Sequence, residues 1–87
     1  MPYISQEKRT RLDLAVNAIP RELEAGELSY VIYRLLLRSW HENREGGYAA
    51  LSTIAGILDI LSAEFWRNVV APYERAKIQE NGGILDD

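Results

Sequence analysis

Apolar residues recur along this chain at helical intervals. Leu12, Val16, Ile19 and Leu23 follow one another at spacings of four, three and four, the repeat of a single helix face. Ser5 is placed to cap that helix, and Glu7 in its first turn suits the positive end of the helix dipole. Pro20 lacks an amide hydrogen and clashes with the preceding turn, which predicts a break or kink near 17–19. Gly26 is the expected C-cap of the segment. A second helix is predicted over about 28–42, and Asn43-Arg44-Glu45-Gly46-Gly47 reads as a loop. A third begins near Tyr48 and continues through Leu51, Ile54, Ala55, Leu58, Phe65 and Val69. Pro72 then either kinks it or opens a short fourth helix that stops at Asn81-Gly82-Gly83. Tyr30-Val31-Ile32-Tyr33 is β-prone alone but lies inside a longer helical pattern. The expected fold is all-α: a compact bundle of three main helices plus a short C-terminal helix, one helical domain over 1–87.

Two of these helices carry more apolar surface than one face can hold. Leu28, Val31, Ile32 and Leu35 make the expected core face of the second helix. Tyr30, Tyr33, Leu36, Leu37 and Trp40 cover most of the remaining circumference, interrupted only by a stripe of Arg34, Arg38 and His41. In the third helix the main face is Leu51, Ile54, Leu58, Phe65 and Val69, while Ile57 and Ile60 fall towards the opposite side. A helix that is apolar nearly all round is buried nearly all round. The expectation is therefore a homo-oligomer, with Leu36, Leu37, Ile57 and Ile60 in an interface between copies or with a partner protein. Scattered surface apolar residues, normal in soluble proteins, are the alternative.

Composition narrows the chemistry. The 87 residues are 47% hydrophobic and 26% charged, which is ordinary globular composition. A chain of this length buries only roughly 60–65% of its unfolded surface, so its own core is marginal. With no cysteine and one histidine, disulfides, thiolate zinc sites, a cysteine nucleophile and histidine-cluster metal sites are excluded, and no metal or cofactor is expected. A net charge of −3 argues against non-specific nucleic-acid binding. A helix-turn-helix reading at Gly26 fails further because the next helix is too apolar to read base edges. The N-terminus lacks the apolar core of a secretory signal, and the longest apolar candidate, 48–70, is interrupted by Asp59, Glu64, Arg67 and Asn68. A cytoplasmic protein without a membrane span is the expectation.

Two constellations stand out as candidate sites. Arg34 and Arg38 are like charges one turn apart, which becomes favourable when an anion lies across both guanidinium forks. His41 continues the stripe, and Tyr30, Tyr33 and Trp40 flank it as stacking surfaces for a base. The plainer account has the arginines reach water or pair with Glu22, Glu24 or Glu27. Tyr48, Asp59, Trp66 and Tyr73 form the second set, aligned along one flank of the third helix if it runs past Pro72. Asp59 there calls for a partner, with Arg34, Arg67 or a tyrosine hydroxyl as candidates. A boundary stripe with polar tips outward explains the same residues without a ligand. Glu74 and Lys77 sit at helical pairing distance. No phosphate loop, nucleophile motif or Glu-x-x-His motif occurs, so the chain is expected not to be an enzyme.

The chain resembles a family of small proteins carried by bacteriophages and some bacterial genomes. Met1-Pro2-Tyr3-Ile4, Leu28-Ser29-Tyr30 with Ile32, Arg34 and Leu35, and Glu64-Phe65-Trp66-Arg67 carry the likeness. So do Ala71-Pro72-Tyr73-Glu74 and Lys77-Ile78 with Glu80-Asn81-Gly82, the most specific of these motifs. Trp66 stands where a tyrosine is more usual, and the Pro20 region and the Gly83-to-Asp87 tail depart from the pattern. The resemblance implies a phage-type accessory protein in a bacterial cytoplasm that inhibits a host defence protein by binding it. An oligomer that sequesters a small anionic nucleotide signal through Arg34 and Arg38 is the alternative, by analogy of setting.

Overall fold

The computed structural model describes residues 2–85; Met1 of the opening motif and Asp86 and Asp87 of the tail lie outside them. Among the described residues every regular element is helical: α1 (Gln6–Asn17), α2 (Ala25–Glu42), a 3-10 turn (Arg44–Gly46), α3 (Gly47–Phe65), a π turn (Trp66–Val70) and α4 (Ala71–Asn81). Ser5 caps α1 as its sequence position implies, its hydroxyl accepting from the Lys8 N–H at 3.4 Å. The helix ends at Asn17, three residues before Pro20, and the Ile19 N–H turns back to the Val16 carbonyl.

Helix α2 starts earlier than the hydrophobic pattern indicates. The Glu27 carboxylate accepts from the Glu24 N–H at 2.8 Å, and the Glu24 carbonyl accepts the first helical bond, from Leu28. Gly26 therefore lies inside the first turn of α2 and is not a C-cap. The turn into α3 depends on Gly47, whose φ of +61° with ψ of −138° is a conformation that only glycine adopts readily.

Pro72 falls in the first turn of α4, as expected of a proline that opens a helix, but α4 follows the third helix without interruption. The backbone widens for one turn at Trp66–Val70, and the Ala71 N–H donates to the Trp66 carbonyl five residues back. This slack absorbs the ring that would otherwise strike the preceding turn. The result is one helix from Arg44 to Asn81, 38 residues long. Gly82, at φ +83°, closes it through an N–H to the Ile78 carbonyl at 2.8 Å. The helix contains an 18-residue window of mean hydropathy 1.4, long and apolar enough by length and composition to cross a membrane. The residues that interrupt 48–70 are sparse enough for an 18-residue window to avoid most of them.

The helices do not draw together into a compact bundle. The radius of gyration is 17.3 Å, against about 12 Å for a compact chain of this length. No described residue is buried. The α2–α3 hairpin closes only beside its connecting turn, where Leu36, Ser39 and Trp40 are half-buried with Gly47, Ala50 and Ile54. Of the expected core face of α2 only Val31 is half-buried, while Leu28, Ile32 and Leu35 remain exposed. In the first segment Ile19 and Leu23 are half-buried, but Leu12 and Val16 are not.

Candidate functional site

The most connected polar group joins the two ends of the chain. Tyr3 lies on the irregular arm before α1, and Glu64 on the last turn of α3. The Tyr3 hydroxyl donates to Glu64 Oε2 at 2.6 Å across a sequence separation of 61 residues. Arg67 donates to Glu64 Oε1 at 2.9 Å, and Asn68 donates to Glu64 Oε2 at 3.1 Å and to the Tyr3 oxygen at 3.4 Å. Glu64, Arg67 and Asn68 share a helix face at spacings of three and four, which is why one carboxylate reaches both. The Arg9 Nε donates to the Ile4 carbonyl at 2.8 Å and holds the arm from its other side.

The electrostatics follow from that geometry. The hydrogen bond from Tyr3, then that from Arg67, holds the Glu64 carboxyl below its ordinary value against a smaller opposing desolvation. The hydrogen bond that Tyr3 donates to the same carboxylate raises its phenol, and the like charge that ionisation would create beside Glu64 raises it further. Glu64 thus stays a carboxylate and Tyr3 a neutral donor. With both carboxylate oxygens engaged, the group acts as a clasp across the start of the π turn. Sequence reasoning passed over it as a site. Its signal was present, because Tyr3 belongs to the opening motif of the resemblance and Glu64 and Arg67 to a later one.

The residues singled out from sequence are not gathered in one place. Arg34 turns to its own helix: its Nη1 donates to the Tyr30 hydroxyl at 2.8 Å and its guanidinium lies 5.6 Å from that ring's centre. Among the described residues it makes no ion pair with Glu22, Glu24 or Glu27. Trp40 is half-buried in the closed end of the hairpin, whereas Tyr33 is exposed. His41 borders a shallow hollow of about 380 Å³ together with Glu42, Glu45 and Arg44. Its carboxylates oppose an anion.

Asp59 is exposed and makes no hydrogen bond or ion pair among the described residues; Arg67, named as its partner, serves Glu64 instead. Water solvates it, so the required partner is unnecessary. The flank running from Tyr48 through Trp66 to Tyr73 is interrupted by the π turn. One extra residue in a turn offsets everything beyond it by about 100°. Tyr73 instead stands under Lys77, whose Nζ lies 5.6 Å from its ring centre. Lys77 pairs with Glu80 at 3.7 Å and not with Glu74. Of the expected interface residues, Leu37, Ile57 and Ile60 are exposed, while Leu36 is half-buried within the hairpin.

A family model described as Domain of unknown function (DUF6899) matches residues 1–84, and the chain belongs to that family. No curated protein and no solved structure matches it.

Proposed function

We propose that this member of the family is a non-enzymatic protein that works by docking, and that its working surface is the outer apolar face of the α2–α3 hairpin around Leu37, Ile57 and Ile60. One observation carries the reading. The chain exposes 8019 Å², whereas a folded protein of its mass exposes about 5,200 Å². Apolar residues supply much of that excess, and contiguous exposed apolar surface marks protein interaction sites. The resemblance to small phage proteins supports a host protein of the bacterial cytoplasm, a defence component in particular, as the target. Asp59 favours an aqueous setting for the long helix, since an aspartate near the centre of a bilayer costs about 2.5–3.5 kcal/mol. Docking is preferred to nucleotide sequestration because Tyr30 already engages Arg34 and carboxylates line the hollow at His41.

Native mass spectrometry of protein purified from a bacterial host tests this reading. Wild type is expected to carry a protein partner, which Ile60→Glu and Leu37→Glu each lose at unchanged helicity. Folded variants that keep the partner would refute it. Added mass in the nucleotide range, lost in Arg38→Ala, would favour the sequestering alternative.

A further inference from the structure

A second apolar stripe remains uncovered on α3, adjoining Ile57 at one edge and turned away from Ile60. Leu51, Ile54, Leu58, Leu61 and Phe65 succeed one another at spacings of three, four, three and four, the a and d positions of a heptad pattern. They form a stripe about 80° wide on the helix wheel. Ile60 lies some 140° from the stripe's centre by the same measure. Ile54 alone of the five is half-buried; Leu58, Leu61 and Phe65 are 43%, 42% and 59% exposed. The first half of α2, which a closed hairpin would lay against them, leaves Leu28, Ile32 and Leu35 exposed as well. The hairpin is a jaw, shut at its turn and open beyond it.

We propose that a second copy of this chain fills the jaw, pairing antiparallel along the α3 stripe to make a four-helix bundle from two hairpins. Three observations select a copy over another occupant. First, the stripe matches itself: a two-fold axis at Leu58 sets Leu51 of one copy opposite Phe65 of the other, and Ile54 near Leu61. Second, no charge opposes the pairing. Asp59 is the only charged residue from Gly47 to Ala63 and lies off the stripe, while its neighbours Ala55 and Ser62 are small enough for close approach. Third, the size fits. An obligate homodimer removes about 1,000–2,500 Å² per copy, which lies within the excess of roughly 2,800 Å² that each chain exposes and leaves part of it for the outer face.

Sedimentation equilibrium of the full chain is expected to give about twice its mass of 9.9 kDa. The unfolding midpoint is expected to rise with protein concentration. Because the chain has no native cysteine, single cysteines report the pairing directly. Leu58→Cys, beside the two-fold axis, should form an interchain disulfide in high yield, and Ala63→Cys, on the opposite side of α3, should not. A helical monomer at 100 µM, a monomer that floats with lipid vesicles, or crosslinking at Ala63 without crosslinking at Leu58 would each overturn the proposal. The two surfaces are separable: a monomer that still takes up a partner through Ile60 removes the dimer and leaves the docking reading intact.

Discussion

Glu64 and Phe65 are neighbours at the end of α3, and they occupy the environments usually given to each other. The Glu64 side chain is 14% exposed, whereas Phe65 is 59% exposed. The carboxylate is covered because its partners are local or lie on a tethered arm: Arg67 and Asn68 one turn on, and Tyr3 brought back beside α3. A phenyl ring has no such short-range partner. It needs a second apolar surface of matching size, and at that point of the jaw the chain supplies none. Hydrogen bonds and ion pairs can be completed by a few residues, whereas hydrophobic burial scales with area.

The change expected to have the largest effect is Phe65→Ala. If a second copy covers the ring, truncation should cost about 3–5 kcal/mol, read by urea unfolding at equal protein concentration. A loss under roughly 1 kcal/mol would leave the ring in water and remove half of the contrast. Next comes Gly47→Ala, which tests whether the closed end of the jaw is held by its turn. No atom stands within 4 Å of the added methyl, so the expected cost of about 1–3 kcal/mol comes from the backbone at φ +61° alone. Gly56→Ala is the matching control. It lies within α3 with open space around it and should stabilise by about 0.5–1 kcal/mol. Equal effects at the two glycines would dismiss the turn as the hinge.

The smallest expected effect is at the clasp. Tyr3→Phe removes the chief cause of the depressed Glu64 value, so the carboxyl should titrate closer to its ordinary value by NMR. An unchanged titration would mean that the arm does not sit on Glu64 in solution. The pH dependence has two signs. The contribution of Glu64, depressed when folded, is present above the ordinary carboxylate range and lost as pH falls through the lowered value. That of Tyr3, raised when folded, is complete below the ordinary phenol range and lost as pH rises through the raised value. Protection of the arm's amides, measured as exchange relative to the intrinsic rate at each pH, should therefore be greatest between those limits.

Much of this molecule is determined by its sequence alone. The all-α class, the cap at Ser5, the end of α1 before Pro20 and the stop at Asn81 all follow from periodicity and from single residues that favour or forbid helix, which act within about one turn. The surplus of apolar surface on α2 and α3 was likewise legible, since it only requires placing side chains on a wheel. Three features were decided by tertiary structure. The π turn settles how Pro72 is accommodated, the clasp brings Tyr3 to Glu64, and the open jaw leaves Phe65 outside. Each depends on how far a helix runs or on what lies beside it many residues away. Periodicity records which face of a helix is apolar, but not which surface meets it.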